Sequence, residues 1–140
     1  RVHGAFLDWY YETFPDRKRN KKGKGKMTNK QYYFCATEAA NYKDMDAYVS
    51  DVALSTVWGD APDATIPPAR LENLRSIYTA ATRTTKEIVS LSGLSQAAFA
   101  ERWCIPRRTV EDWCRGIAKC PLYTRLLMQQ GMGIFTPPVE

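Results

Sequence analysis

Histidine and paired cysteines, the side chains that most often bind zinc, are scarce in this sequence. Its 140 residues include a single histidine, His3, and four cysteines, none of which stands in a C-x-x-C pair. The run KGKGK lacks the strand, the spacing and the terminal Ser or Thr of a phosphate-binding loop. No motif of a catalytic nucleophile is present either. We therefore expect no metal site, no cofactor and no catalytic activity.

Long apolar runs are missing as well. No stretch approaches the roughly 18 consecutive apolar residues of a membrane-spanning helix, and the first residues show no basic segment followed by an apolar run and a cleavage site. The composition, 44% hydrophobic and 25% charged, is that of an ordinary globular protein. We expect a soluble, cytoplasmic protein with one core, no membrane contact and reduced cysteines.

The positive charge is concentrated in one place. The chain has a net charge of +5, and eight of its twenty Lys and Arg residues lie between residues 17 and 30. Such a segment has too little apolar surface to fold alone, which predicts a flexible arm or linker over 16–29. Two interpretations stay open: an arm that follows phosphates or enters a minor groove, and a linker that only improves solubility. The eight residues are Arg17, Lys18, Arg19, Lys21, Lys22, Lys24, Lys26 and Lys30.

Aromatic residues are grouped just before this run, near the N-terminus. Their spacing suits a short helix that ends at Pro15. Exposed aromatic side chains often anchor protein interfaces, so this group is a candidate contact for a protein partner. Residues 1–43 are thus predicted to form an N-terminal aromatic segment followed by the basic arm or linker. The aromatic residues are Phe6, Trp9, Tyr10, Tyr11 and Phe14.

From residue 44 onward, apolar residues recur at helical spacing. Strand-like alternation is limited to short ambiguous pieces near 31–35. The sequence therefore predicts an all-α domain over 44–135, a compact bundle of five to six helices, followed by a tail at 136–140. The predicted helices cover 44–58, 68 to about 81, 84 to about 91, and three further segments between 95 and 128.

Local signals mark where these helices begin and end. Thr84 with Glu87 three residues later is a capping-box pattern, which predicts a helix start. Gly59 and Gly93 stand where a helix can stop. The proline-rich stretch 60–68 has no periodicity and is predicted to be a loop.

The segment 93–116, GLSQAAFAERWCIPRRTVEDWCRG, combines two short helices with a tight break between them. Ser95 can cap the first helix, and residues 104–106 interrupt the helical pattern. The second helix then begins with two adjacent, outward-facing arginines, Arg107 and Arg108. The positions predicted to face inward are Ala98, Phe99, Ala100, Trp103, Val110, Trp113 and Cys114.

Several residues of this segment match a known pattern: Ser95, Gln96, Phe99, Ala100, Ile105, Thr109, Val110, Trp113 and Gly116. With them the segment resembles the helix-turn-helix domains of the Cro and lambda-repressor type, often called the Xre family. The resemblance extends over 94–127, where Leu122, Leu126 and Leu127 would complete the core. One departure is Cys114, since family members often have Glu there.

The resemblance implies that some residues would position the protein on the DNA backbone. Gln96, at the start of the first helix, would approach a phosphate and, as in this family, buttress the first residue of the recognition helix. Arg115, Lys119 and Arg125 would contact phosphates. These contacts carry no sequence information by themselves.

Other residues would read bases in the major groove. Arg107 and Arg108 can each give two hydrogen bonds to guanine, to O6 and N7. Thr109 offers a hydroxyl or a methyl contact to thymine. Asp112 would accept from cytosine N4 or hold a neighbouring arginine in place. Glu111 is expected to face solvent or to pair with Arg107, without a role on DNA.

Two functions follow from these predictions. The first is a transcriptional regulator, a repressor, that binds double-stranded DNA as a homodimer and works in the cytoplasm of a bacterial, phage or plasmid system, associated with the nucleoid. The second is an antitoxin or inhibitor that grips a protein through its N-terminal part and represses its own promoter through the helix-turn-helix. The region 44–84 lies outside the motif and is expected to pack on the domain or to mediate dimerisation.

Overall fold

The computed structural model describes residues 25–140. Within this range every regular element is a helix, and the only β-type pairing is an isolated bridge between Met27 and Val139. The predicted all-α class is confirmed. None of the helices in this range combines the length and the hydropathy needed to cross a bilayer. The α-helices are α1 Asn29–Glu38, α2 Met45–Val52, α3 Pro68–Thr82, α4 Thr85–Ser92, α5 Gln96–Arg102, α6 Arg107–Arg115 and α7 Leu122–Gly131, with 3-10 turns at Ala39–Asn41 and Thr56–Trp58.

The first helix, α1, was not among the predicted elements. Thr28 begins it with a capping box, in which the Thr28 hydroxyl accepts from the backbone N–H of Gln31 and the Gln31 side chain accepts from that of Thr28. Cys35 and Ala36 are buried, and the Tyr48 hydroxyl donates to the Cys35 carbonyl at 2.6 Å. The helix thus belongs to the core formed by later residues. The aromatic group and most of the basic run lie outside the described residues.

The helix predicted over 44–58 is in fact interrupted. Asp44 caps α2 by accepting from the backbone N–H of Ala47, but the helix ends at Val52. Ser55 then caps a separate 3-10 turn, and the Trp58 indole N–H donates to the Val52 carbonyl at 2.8 Å. A serine that hydrogen-bonds to nearby backbone competes with helical pairing, which explains the break.

The buried side chains form two clusters. The first, the amino-terminal cluster, lies between α1, α2 and α3 and has Tyr48, Leu74 and Ile77 at its centre. The second, the carboxy-terminal cluster, lies between α4, α5 and α6 and is built around Ile88, Phe99 and Val110, which are fully buried. Each large side chain buried in this way stabilises the fold by about 1.5–3 kcal/mol.

Helix α7 joins the two clusters because its opposite sides face different partners. Leu126 packs in the amino-terminal cluster and Met128 in the carboxy-terminal one. Leu127, which was predicted to complete the core, is 59% exposed, so that prediction is wrong. A helix wedged between two clusters buries residues on both flanks, and Leu127 lies on the side that neither cluster covers.

Polar contacts reinforce this junction. Gln129 is fully buried; its amide nitrogen donates to the Ala80 carbonyl at 2.8 Å, and its amide oxygen accepts from Arg83 at 3.0 Å. Arg125 donates from one Nη to the carbonyls of Ala81, at 2.7 Å, and Arg83, at 2.8 Å. These carbonyls belong to the end of α3, where a helix leaves its last acceptors without partners. The two side chains supply the missing donors.

Residues 136–140 are bound to the rest of the fold by backbone hydrogen bonds. Pro138 is buried and its carbonyl accepts from the backbone N–H of Met27 at 2.8 Å. The backbone N–H of Glu140 donates to the Met27 carbonyl at 3.2 Å. The segment 136–140, predicted to be a tail, is therefore tied to the chain that leads into α1.

Candidate nucleic-acid interface

The helices α5 and α6 are joined by a short connection whose geometry is set by backbone hydrogen bonds. The N–H of Ile105 donates to the Ala100 carbonyl at 2.9 Å, and that of Cys104 donates to the Glu101 carbonyl at 3.2 Å. This is the Schellman arrangement, which ends a helix with one residue in the left-handed conformation. Cys104 is that residue, with φ of 56°. The chain then turns at once into Pro106 and α6.

Packing fixes how α6 lies against α5. Phe99 and Ala100 of α5 and Val110 of α6 are buried in the carboxy-terminal cluster, and Trp113 and Cys114 of α6 pack against its edge. The small side chain of Ala100 lets the two helices approach closely. Ser95 caps α5 by accepting from the backbone N–H of Ala98 at 3.1 Å. One face of α6 is thus committed to the core, and the opposite face is left for solvent.

The exposed face of α6 begins with Arg107 and Arg108, whose side chains are 69% and 79% exposed. Arg107 Nε donates to Glu111 Oε1 at 2.9 Å, the pairing that the four-residue spacing predicted. Arg108 Nε donates to Asp112 Oδ1 at 3.3 Å, so Asp112 adopts the second of its two predicted roles, holding an arginine. The first turn of α6 contains no acidic residue, and Pro106 offers no side-chain cap.

The other predicted site residues lie around these pairs. Thr109 is half-buried on the third position of α6, and Arg115 is exposed in its last turn. Lys119 is exposed in the loop that follows Gly116. Gln96 is exposed as the first residue of α5, and it forms no hydrogen bond to Arg107, which bonds to Glu111 instead. The buttress implied by the resemblance therefore stays a prediction.

Arg125 is not available to phosphates. Its guanidinium donates to three carbonyls, those of Cys120, Ala81 and Arg83. Burial lowers the pKa of this guanidinium, although it stays protonated at neutral pH. The prediction of a phosphate contact for Arg125 is wrong because position on the helix alone does not reveal that the side chain turns toward the end of α3.

Lys86 is a basic residue that the sequence reasoning left out. It is exposed in the first turn of α4, directly after the capping residue Thr84 and the buried Thr85. Burial raises the pKa of the Cys114 thiol on α6, and the charge of Lys86 partly offsets that rise. Lys86 belongs to a helix, α4, that packs against α6. Its position in a different helix hides this proximity from any pattern within the 93–116 segment.

Comparison of the chain with protein-family models, with curated proteins and with solved structures finds no match. The chemistry of the α5–α6 pair itself is therefore what indicates a function. That pair presents exposed cations on one helix, supported from behind by a packed core. Among residues 25–140 no three metal-ligating side chains come together that could hold a metal ion.

Proposed function

We propose that residues 94–127 form a helix-turn-helix unit. The protein is then a transcriptional repressor that binds double-stranded DNA in a sequence-specific way. In this proposal α5 crosses the DNA backbone and α6 is the recognition helix that enters the major groove. The tight connection between the two helices and the buried face of α6 support it. So does the size of α6, since a single α-helix fits the major groove of B-form DNA.

The observation that carries the proposal is the exposed pair Arg107 and Arg108 at the N-terminal end of α6. Cations at a helix N-terminus oppose the helix dipole, each at a cost of about 0.3–1 kcal/mol at an exposed site. Helix stability therefore does not explain two arginines in the first turn. Recognition does, because the N-terminal residues of a recognition helix contact base edges and arginine pairs with guanine through two hydrogen bonds.

Residues that contact phosphates would surround the Arg107 and Arg108 pair. Gln96 lies at the start of α5, Arg115 in the last turn of α6 and Lys119 in the following loop, all exposed. Lys86, which is exposed on α4, the helix that packs against α6, adds a further positive charge. Such contacts set register and orientation and make affinity fall with added salt, since each neutralised phosphate releases counterions.

A homodimer belongs to the same proposal. One recognition helix contacts only a few base pairs, which is too little for selective binding in a genome. Two helices related by a two-fold axis would read two half-sites about 34–36 Å apart. The expected operator is therefore a two-fold symmetric sequence.

The test is selection from a random duplex pool with the intact chain and with the double variant Arg107→Ala, Arg108→Ala. We expect the intact chain to enrich a two-fold related motif and the variant to enrich none, because both base-reading side chains are gone. The matched control is Lys43→Ala, Arg75→Ala, which removes two exposed cations away from α5 and α6 and should leave the motif unchanged.

Two results would contradict the proposal. Enrichment that survives in the Arg107→Ala, Arg108→Ala variant would show that α6 does not read bases. The absence of any motif with the intact chain would remove sequence-specific binding altogether, and the protein-partner alternative would then take its place.

A further inference from the structure

Two carboxylates stand directly behind the exposed arginines of α6. Glu111 lies one turn after Arg107, and Asp112 lies one turn after Arg108. Their side chains are 32% and 25% exposed, far less than the arginines they contact. Each pair therefore has an inner anion and an outer cation, with the cation pointing away from the core.

The atoms involved decide what each arginine can still do. Both hydrogen bonds use Nε, at 2.9 Å to Glu111 and 3.3 Å to Asp112. A guanidinium has five N–H donors in a rigid plane, so a bond at Nε fixes the plane and leaves the outer edge, Nη1 and Nη2, free. Guanine offers two acceptors, O6 and N7, in the major groove. The free edge of each arginine matches these two acceptors.

Helix stability is a weak reason for these pairs. An acidic residue four positions after a basic one is the less favourable order along a helix, and exposed pairs of this kind contribute little. The carboxylates also place negative charge on the surface that would face phosphates, which weakens binding to any duplex. Their effect on recognition is different, because a side chain that is already oriented loses less freedom when it binds.

We propose that Glu111 and Asp112 are the positioning residues for specificity, which hold Arg107 and Arg108 ready for guanine and suppress binding to other sequences. This inference rests on the proposed function and adds a ligand class to it: a half-site with guanine opposite each arginine. Glu111 acquires a role on DNA that the sequence reasoning did not give it. The two carboxylates lower the affinity for DNA in general and raise the selectivity for sites that contain these guanines.

The test compares the double variant Glu111→Gln, Asp112→Asn with the intact chain. Both changes keep a side chain of similar shape with one acceptor oxygen, and they remove the negative charge. The matched control is Asp63→Asn, Glu72→Gln, which removes two exposed charges outside α5 and α6. Each protein is measured against the motif selected by the intact chain, against the same duplex with 7-deazaguanine at the contacted guanines, and against an unrelated duplex.

For the intact chain we expect 7-deazaguanine, which lacks the N7 acceptor, to weaken binding about tenfold at each contacted position. In the Glu111→Gln, Asp112→Asn variant this penalty should fall to about threefold or less, while affinity for the unrelated duplex rises several-fold because repulsion from phosphates is removed. The control should keep the full penalty. In NMR spectra of the free protein, the Nε–H signals of Arg107 and Arg108 should shift in the variant and not in the control.

The outcomes separate this inference from the function on which it depends. If the intact chain selects a motif without guanine, or if the penalty is unchanged in the variant, the carboxylates do not position the arginines and the inference is overturned while the proposed function stands. A loss of penalty in the control as well would also overturn it, since net charge alone would explain the effect. If the intact chain selects no motif, the proposed function fails and the inference fails with it.

Discussion

The region of α1–α3 and the region of α4–α6 use the same two residue types, arginine and aspartate, in opposite ways. In the first region Arg70 turns its outer edge onto Asp60, with Nη1–Oδ2 and Nη2–Oδ1 distances of 2.6 and 3.0 Å. It also donates to the Ala53 carbonyl and stacks on Trp58 with its guanidinium carbon 4.3 Å from the ring centre. Its side chain is 11% exposed. Both terminal nitrogens of this cation are therefore used in contacts within the protein.

In the second region Arg108 gives only Nε to Asp112 and keeps its outer edge in solvent. The Arg70 guanidinium lowers the pKa of the Asp60 carboxyl through their hydrogen bonds, as expected for a carboxylate that accepts from both terminal nitrogens of an arginine. The comparison teaches that two kinds of arginine can be distinguished by which guanidinium nitrogens are already bonded within the protein. An arginine that stabilises the fold uses its terminal nitrogens there, whereas one that is presented to a ligand keeps them in solvent. The two residue types are the same in both cases.

The strongest way to sharpen this comparison is to remove an internal arginine. Arg125→Met keeps much of the side-chain volume but leaves the carbonyls of Ala81, Arg83 and Cys120 without their donor. A buried acceptor without a partner costs about 1–3 kcal/mol, so we expect a total loss near 2–4 kcal/mol in the free energy of unfolding. Urea unfolding followed by circular dichroism measures it.

The matched variant is Arg108→Met, which removes an arginine of the presented kind. We expect its free energy of unfolding to stay within about 0.5 kcal/mol of the intact chain, as for most exposed substitutions. Equal losses for Arg125→Met and Arg108→Met would break the distinction between internal and presented arginines.

A substitution in the connection between α5 and α6 should change the free energy of unfolding by less, and it should raise it. Gly93 and Gly116 end α4 and α6 in the left-handed conformation, whereas the equivalent position after α5 is Cys104, with φ of 56°. A side chain is disfavoured there by about 1–2 kcal/mol, and glycine recovers part of this after the entropy of the unfolded chain is counted. We expect Cys104→Gly to raise the free energy of unfolding by about 0.5–1 kcal/mol.

Cys104→Ala is the control for this prediction, because it removes the thiol but keeps a Cβ atom in the strained conformation. It should show no gain in urea unfolding. If Cys104→Ala stabilises the protein as much as Cys104→Gly, the backbone conformation is not the cause, and a property of the thiol is.

Much of the second region could be predicted from the sequence because its signals are local. The caps Thr84 and Ser95, the stop at Gly116 and the Arg107–Glu111 pair each involve residues within four positions, and each is present. Hydrophobic spacing placed Val110 and Phe99 in the core for the same reason. Helical geometry alone determines such features.

The break within 44–58 has a local cause at Ser55, but the other errors come largely from contacts that are distant in the sequence. Helix α1 carries consecutive apolar residues without a helical period, and its buried residues are selected by partners such as Tyr48. Arg125 is directed by carbonyls more than forty positions away. Leu127 is exposed because α7 serves two clusters that the sequence does not reveal as separate. Tertiary packing decides the cases of Arg125 and Leu127, and no local pattern encodes it. The start of α1 does carry a local signal, the Thr28–Gln31 capping box, but the apolar spacing of the helix does not.

The smallest expected effect on stability concerns Glu87, a carboxylate of the second region. Unlike Glu111 and Asp112, it contacts the backbone at a helix start and not an arginine. The Glu87 side chain accepts from the backbone N–H of Thr84 at 3.0 Å, and this hydrogen bond, with that to the Thr84 hydroxyl, lowers the pKa of Glu87. A lowered pKa in the folded state stabilises the protein above the ordinary glutamate pKa of about 4.3, and that stability is lost as the pH falls through the folded value. Glu87→Gln should therefore be less stable than the intact chain at pH 7 by about 0.3–0.5 kcal/mol, a screened surface effect, and equal to it near pH 3. Urea unfolding at both pH values, with Glu72→Gln as the exposed control, measures the difference. A deficit of equal size at both pH values would mean that the shape of the carboxylate matters at the cap and its charge does not.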